Sequence, residues 1–370
     1  MTDVDIIFMS QAISLAQRGL YTTRPNPRVG CVLVKDGNII AEGWHQKAGN
    51  PHAEKIALIA AGEQARGSTA YVSLEPCCHY GRTPPCSKAL IEAGVARVVA
   101  AMRDPNPQVQ GKGLAQLAEA GILVTCGVLE TEAIKLNPGF IKRMTTGLPW
   151  VRCKLAMSLD GRTAPASGER QIITGEAARK DVQFFRARSD AIITGIGTIL
   201  ADDPALTVRL SSSELKLEPA YQPLQPLRII LDTNLRTPIT AQILQPIANT
   251  LILHSSNNLN LISNLEAAGV KLQFIPKFGN TVSIKKALQF LATQEINEVL
   301  IEAGHILAGA AIEDGVVDEL IIYLAPQLMG DAALGLVHLP STNNGCAPLR
   351  LNIKDIYAID KDWRITAHLI

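Results

Sequence analysis

Pro51-His-Ala-Glu54 and Glu75-Pro-Cys-Cys-His-Tyr-Gly-Arg-Thr-Pro-Pro-Cys86 decide the reading of the first part of the chain. Apolar spacing carries a helix from about His52 to Ala61, and the second stretch links a strand at Ala70 to Leu74 with a helix at about Ser87 to Ala93. Four chemically useful groups thereby meet at strand and helix ends. A catalytic zinc takes three protein ligands from His and thiolate and keeps one position open, while a helix amino terminus lowers the pKa of a cysteine placed there. Cys86 has that position. Glu54, two residues after His52, is too close in the chain to be a convenient fourth ligand and can shuttle protons instead.

A His-x-Glu followed by Pro-Cys is the pattern of the zinc-dependent nucleobase deaminases, whose second pair is usually Cys-x-x-Cys. Here Cys77 and Cys86 are separated by eight residues, with Cys78 and His79 nearby, so spacing alone leaves open which thiols bind. A single His or Cys is ordinarily a core residue, and Cys31, Cys126, Cys153 and Cys346 are read that way. The cluster is different, because a purely structural zinc would take four Cys or His ligands and have no use for Glu54.

Working outward, Ile6 to Arg18 reads as a helix, and Cys31 to Val34 with Ile39-Ile40 reads as a hairpin about Asp36-Gly37. Strands at Arg97 to Ala101 and Ile122 to Cys126 flank a helix at about Leu114 to Ala120. The expectation is an α/β domain with its sheet between helices. Between Glu130 and Trp150 the periodicity lapses, and Asn137-Pro-Gly139 and Thr146-Gly-Leu-Pro149 read as the breakers of a connection. The domains expected are therefore 1–147 and 148–370.

Beyond the boundary, strands at Val151 to Ala156, Ala191 to Thr194, Leu227 to Leu231, Thr250 to His254, Val270 to Ile275 and Val299 to Ile301 alternate with helices such as Glu176 to Ala187. This order predicts a mainly parallel sheet, with Glu319 to Ala325 and Trp363 to Leu369 as later strands of antiparallel character. Ser211 to Gln225 is polar and punctuated by Pro, and reads as a surface insertion without assigned function.

Composition bounds the function. At roughly 150 residues per domain, 370 residues make about two domains. Hydrophobic residues at 47% and charged residues at 19% exclude disorder, and only 4% aromatics leave Leu, Ile, Val and Ala to fill the cores. Fifteen basic against twelve acidic residues up to residue 148, and twenty against twenty-two beyond it, provide no broad positive field for nucleic acid. No apolar run approaches a membrane span, and Asp3 and Asp5 stand where a signal peptide would carry basic residues, so no membrane partner and a cytoplasmic location are expected. Seven cysteines, five of them in the first 130 residues, point to reduced thiols and to a first domain that uses sulfur.

In the second domain, Val299-Leu-Ile-Glu-Ala-Gly304 runs from a strand into Gly304-His-Ile-Leu-Ala-Gly309, where small residues and backbone N–H groups at a helix start favour a pyrophosphate. The spacing is neither a Rossmann fingerprint nor a P-loop, and on its own the stretch is better explained by tight strand-to-helix packing.

Together with Pro25-Asn-Pro-Arg-Val-Gly30, the stretch from Arg103 to Gln108, Lys154 to Thr163 and Gly195 to Arg209, these residues resemble the bifunctional riboflavin-biosynthesis deaminase/reductase family over essentially the entire chain. The resemblance implies a cytidine-deaminase-like three-layer domain followed by a dihydrofolate-reductase-like domain. It implies zinc held by His52, Cys77 and Cys86, with Cys78 a spectator, and Glu54 as the catalytic proton carrier. Deamination of a 2,5-diamino-6-ribosylamino-pyrimidinone 5′-phosphate would be followed by NADPH reduction of its ribosyl group to ribityl.

For the first reaction the family implies that Asn26 holds the pyrimidine edge, with His45, His79 and Arg82 as candidates for the ribose phosphate. For the second it implies cofactor contacts at Ala156, Ile172, Thr198, Asp202 and the Gly304 turn, which continues through His305, Ile306, Leu307, Ala308, Gly309 and Ala310. Substrate contacts would come from Lys154, Arg170, Arg186, Leu206, Arg209 and Glu302. Arg186 and Arg209 suit a phosphate, Glu302 suits sugar hydroxyls, and Lys154 or Asp202 could supply the proton. Ile172 stands where the family has Trp, which removes an aromatic cofactor contact. A homo-oligomer is expected from the family. The competing reading, a nucleic-acid base deaminase with an appended binding domain, would want basic and aromatic patches that this chain lacks.

Overall fold

The structure is a computed structural model of the chain that describes residues 2–80, 84–167, 171–340 and 348–370. It comprises two compact units, Met1–Gly147 with Leu217–Tyr221, and Leu148–Lys216 with Gln222–Ile370.

The first unit opens with α1 (Asp3–Gln17), capped by Thr2 and Asp5, each side chain accepting from the other's backbone N–H. β1 (Gly30–Lys35) and β2 (Asn38–Trp44) form the hairpin, turning on Asp36 and Gly37 with positive φ at both. Then follow α2 (Ala53–Ala61), β3 (Thr69–Val72), α3 (Cys86–Glu92), β4 (Arg97–Ala100), α4 (Lys112–Glu119) and β5 (Leu123–Cys126). The sheet order is β2-β1-β3-β4-β5, with β1 antiparallel to both neighbours and β3, β4 and β5 parallel.

The two-residue period of the strands separates two cores. Val32, Val34, Tyr71 and Val99 face α1, whereas Cys31, Leu33, Val72 and Val98 face α2, α3 and α4. Three layers result.

Glu130 to Trp150 is not the bare connection that its breakers suggest. It forms α5 (Glu130–Leu136) and α6 (Pro138–Thr146), which bury Ala133, Leu136 and Phe140 against α1's side of the sheet. Pro138 sits in the first turn of α6, where its missing N–H costs nothing, so the breaker starts a helix here. Each helix is too short to display a period.

The second unit runs β6 (Trp150–Ser158), β7 (Arg162–Ala164), α7 (Glu176–Arg188), β8 (Ala191–Gly195), α8 (Ile196–Asp202), β9 (Leu227–Leu231), β10 (Thr250–His254), α9 (Leu259–Ala267) and β11 (Lys271–Phe274). After the small ribbon of β12 (Lys277–Phe278) and β13 (Thr281–Val282) come α10 (Ile284–Thr293), β14 (Glu298–Glu302), α11 (His305–Glu313) and β15 (Glu319–Ala325). β16 (Leu334–Gly335) pairs with β7, and β17 (Leu351–Ile359) and β18 (Asp362–Leu369) close the chain.

The nine-stranded order is β11-β10-β9-β8-β14-β6-β15-β18-β17. All pairings up to β15 are parallel, and β18 and β17 add on antiparallel. Glu319 to Ala325 is thus parallel to β6 and antiparallel only to β18, a mixed role that local sequence cannot encode. β17 is an edge strand exposed along most of its length, its apolar Leu351, Ile353, Ile356 and Tyr357 interrupted by Asn352, Lys354 and Asp355.

One face of this sheet buries Val151, Cys153, Leu155, Val299 and Ile301 under α10 and α11, and the other buries Ile192, Ile230, Ile252 and Leu300 with Ile199 and Leu265. β14 enters between β8 and β6, so the strand order reverses there, and the carboxyl ends of these strands open a crevice.

Candidate active sites

His52 is the N-cap residue of α2 but makes no capping bond with its side chain. Its Nδ1 lies 3.6 Å from Cys77 Sγ and 3.3 Å from Cys86 Sγ, and the three ligand atoms are all within 4.8 Å of one another. The backbone N–H of Cys86, at the start of α3, donates to Cys77 Sγ at 3.4 Å. Cys77 is held well below the usual thiol range by its bond from Cys86 and by His52, while its partnership with Cys77 and burial push Cys86 up.

One turn into α2, Glu54 is buried beside these ligands, and its Oε2 has no hydrogen-bond partner among the described residues. Burial raises its carboxyl above the ordinary range, although the charge of His52 opposes this. One nitrogen, two sulfurs and an unpartnered carboxyl oxygen fit a catalytic zinc with an open position. Cys78 lies outside the cluster, with its sulfur 3.8 Å from the Gln108 carbonyl oxygen.

The frame around the cluster is tight. A Cβ added to Gly43 of β2 would lie 2.2 Å from the Ala53 carbonyl oxygen, so glycine allows the first turn of α2 to rest on the sheet. Buried Glu75 accepts from the backbone N–H groups of Asp104, Gly111, Gly113 and Leu114 at 2.9 to 3.2 Å, tying a loop and the start of α4 to the segment that carries Cys77. Sequence reading missed this role of Glu75. The signal was its adjacency to Pro76-Cys77 and the turn-forming Asp104-Pro-Asn106.

Asn26 Nδ2 donates to His45 Nε2 at 3.1 Å, and His45 Nδ1 donates to the Pro51 carbonyl oxygen at 3.2 Å. His45 is buried, its ring edge-on to His52, and burial lowers its pKa. His45, a candidate for the ribose phosphate, has both ring nitrogens within hydrogen-bond distance of protein groups. His79 is exposed, and Arg82 lies outside the described residues.

In the second unit a cleft of about 1020 Å³ lies at the switch point. Lys154, Ala156, Ile172, Arg186, Thr198, Asp202, Leu206, Arg209, Glu302, Gly304, His305, Ile306, Leu307 and Ala310 line it. Ala308 and Gly309 do not. Ala308 is fully buried in the core under the sheet, and a Cβ on Gly309 would fall 1.9 Å from the His338 carbonyl oxygen, so this glycine serves packing of α11. Arg170 lies outside the described residues.

At Gly197 and Gly304 the volume of a side chain is open, and the Gly304 N–H donates to Thr198 Oγ1 at 3.3 Å, so two backbone segments can approach a cofactor closely. These features, with the start of α11, fit NADPH. Ile172 is 59% exposed at the cleft, which leaves an apolar face for a ring to cover.

Glu302 and Arg186 do not both face a ligand freely. Arg186 Nε and Nη2 donate to Glu302 Oε1 and Oε2 at 2.6 and 2.9 Å, and Nη1 donates to the Thr207 carbonyl oxygen at 3.1 Å. The fork that was expected to clasp a phosphate is closed on the carboxylate that was expected to hold sugar hydroxyls. Burial alone would raise Glu302, but Arg186 holds it below the ordinary carboxylate range. Arg209 is exposed, and its guanidinium makes no hydrogen bond or ion pair among the described residues. Burial lowers the Lys154 ammonium, the nearby Glu302 opposes that, and Arg186 adds to it. Arg179 and Gln183 also line the cleft and were missed. Their signal was the spacing of Arg179, Gln183 and Arg186, which falls on one face of α7.

Comparison with known proteins gives these two sites their context. Residues 149–365 match the RibD C-terminal domain, and residues 2–102 match the cytidine and deoxycytidylate deaminase zinc-binding region. The chain is 49% identical to riboflavin biosynthesis protein RibD of Escherichia coli, covering 99% of each, and 48% identical to that of Haemophilus influenzae, covering 98% of this chain and 96% of the relative. Among solved structures, Acinetobacter baumannii RibD superposes with a TM-score of 0.89 at 47% identity, covering 99% of each chain. A diaminohydroxyphosphoribosylaminopyrimidine deaminase/5-amino-6-(5-phosphoribosylamino)uracil reductase from Thermotoga maritima superposes with a TM-score of 0.83 at 30% identity, also covering 99% of each. With a zinc-binding deaminase domain and a reductase domain in one polypeptide, the chain belongs to the RibD family of bifunctional riboflavin-biosynthesis enzymes.

Proposed function

We propose that the chain deaminates 2,5-diamino-6-(5-phosphoribosylamino)pyrimidin-4-one in the unit Met1–Gly147 and then reduces the ribosyl group of the product to ribityl with NADPH in the unit that begins at Leu148. The observation that carries the reading is the convergence of His52, Cys77 and Cys86 beside the unpartnered Glu54 oxygen, on a chain that also holds the cleft of Lys154, Arg209 and Glu302.

His52 Nδ1 and the sulfurs of Cys77 and Cys86 would hold the zinc. Zinc bound there supplies the Lewis acidity that makes water a nucleophile at neutral pH. Glu54 Oε2 would take one proton from the attacking water and pass it to the pyrimidine ring nitrogen, then take the remaining hydroxyl proton and pass it to the amino group, which leaves as ammonia as its C–N bond breaks. Asn26, hydrogen-bonded to His45, would read the pyrimidine edge. In the cleft the cofactor supplies hydride, while the residues orient the open-chain or imine form of the sugar. Arg209 would meet the phosphate, Glu302 with Arg186 would face the sugar, and Lys154 would supply the proton.

The proposal includes a small phosphorylated pyrimidine rather than nucleic acid, in keeping with 35 basic and 34 acidic residues over the whole chain. It also includes a cytoplasmic location and a homo-oligomer. The exposed Leu351, Ile353, Ile356 and Tyr357 of edge strand β17 support the latter. No helix of the described residues is long and apolar enough to cross a membrane.

A coupled assay tests the reading. Supplied with the diaminopyrimidine phosphate, the protein should release ammonia and then consume NADPH. Failure of both signals in zinc-replete protein would reject the proposal.

A further inference from the structure

The first unit is not continuous in sequence, since Leu217–Tyr221 belongs to it although the residues on either side belong to the second unit. These five residues lie inside the stretch that reads as a surface insertion. Their contacts are selective. The Tyr221 hydroxyl donates to Gln46 Oε1 at 2.9 Å, and Glu218 Oε1 accepts from Arg18 Nη2 at 2.8 Å. The Arg18 guanidinium in turn sits 5.0 Å from the ring centre of Trp44. Trp44, His45 and Gln46 are consecutive, so the two contacts engage the side chains on both sides of His45, whose ring lies 3.1 Å from Asn26 Nδ2 and stands edge-on to His52.

Resting on the deaminase reading above, the geometry points to Tyr221 and Glu218 as positioning residues for the pyrimidine-binding side of the first site, acting through Gln46 and Trp44 on His45 and Asn26. Tyr221 carries more of the effect. Its bond to Gln46 is between half-buried groups, whereas Arg18 and Glu218 are 52% and 42% exposed, and an exposed ion pair is worth little beyond its geometry. The role concerns where the substrate edge is held, so it should appear in substrate affinity rather than in proton transfer at Glu54.

The test uses the full chain. Tyr221→Phe should raise the KM of deamination roughly three- to tenfold, the equivalent of about one hydrogen bond, and leave its kcat within about twofold. Zinc content and reduction of separately supplied deaminated intermediate should not change. Glu218→Gln should have the smaller effect in the same direction. Combining Tyr221→Phe with Gln46→Ala should add little to either variant alone, because both remove one contact. An unchanged deamination KM in Tyr221→Phe would overturn the proposal. So would parallel losses of zinc, melting temperature and both activities, which would make the segment a general brace.

Amide hydrogen exchange separates this claim from the deaminase reading. If wild-type protein releases no ammonia, that reading fails, and the positioning claim is judged on Trp44 to Lys47 alone. Faster exchange there in Tyr221→Phe supports the claim, and unchanged exchange overturns it.

Discussion

The two sites are built on different plans. The first gathers its four reactive side chains from two short stretches, His52 to Glu54 and Cys77 to Cys86, and fixes them by the start of α2, the start of α3 and one loop tied down by Glu75. The second draws on β6, α7, β8, α8, β14 and α11 among other elements, with several loops between them, and its lining is spread over more than 150 residues of sequence. On the proposed mechanism the protein's own side chains move the protons in the first site, so the reactive groups must be close in space, and they are close in sequence too. In the second, NADPH carries the chemistry and the protein mainly shapes a surface around a long ligand.

Predictions can press on that contrast. The largest effect belongs to the compact site. Glu54→Gln keeps the shape but removes the proton carrier, and should lower deamination kcat about a thousandfold while zinc binding and the reductase step persist. Steady-state kinetics and metal analysis on one preparation check it. A loss of zinc, or a parallel loss of reduction, would make the first site less self-contained than described.

In the dispersed site the two arginines should part company. Arg209→Met should raise the KM of the reductase step ten- to a hundredfold through loss of a charge-assisted contact, without lowering the melting temperature. Arg186→Met should instead cost about 3 kcal/mol of stability, because it strands the buried Glu302 carboxylate. Thermal unfolding beside kinetics tells them apart, and equal behaviour would refute the distinction drawn between a free guanidinium and a committed one.

Lys154 makes a pH prediction. Burial lowers its pKa, so the ammonium is charged below that lowered value and neutral above it. A step that takes its proton should be fast on the acid side and fall as pH rises, beginning below the ordinary lysine value of about 10.4. Single-turnover hydride transfer should show this limb, and Lys154→Arg should flatten it. A profile identical in the two proteins would remove Lys154 from the proton role. The smallest effect is at Ile172, where Ile172→Trp should tighten NADPH binding roughly two- to tenfold by covering a cofactor ring. Fluorescence titration measures it, and weaker binding would mean that the surrounding cleft has been reshaped to fit isoleucine.

What was legible followed from the same physics. The parallel strands Leu227–Leu231 and Thr250–His254 appear in the structure with the bounds that their apolar runs suggest, because burial on both faces leaves a dense signal. β17 was hidden because Lys354 and Asp355 break the alternation of Leu351, Ile353, Ile356 and Tyr357 where the register also shifts, and α5 and α6 were hidden by an Asn137-Pro138 pair that starts a helix. Among site residues, the cluster of His52, Glu54 and nearby thiols stood out by residue type, whereas the choice of Cys77 and Cys86 over Cys78 came from the family resemblance. The closure of Arg186 on Glu302 and the burial of His45 did not stand out, since both depend on which side chains meet across the fold. The Gly304 stretch was legible only in part. One end of it borders the cleft, and the other, at Gly309, answers to the backbone of His338.

The discontinuity of the first unit also has a bearing on how the chain is made. Synthesis proceeds from the amino end, and the last residues of that unit are Leu217–Tyr221, some seventy positions after Gly147. A nascent chain that has just emerged through α6 therefore holds both cores of the first unit but not its last piece. The ribosome must translate β6, α7, β8 and α8 before the unit can be finished. For the same reason, a gene cut at residue 147 would encode the zinc ligands and yet leave five residues of the same body on the other fragment.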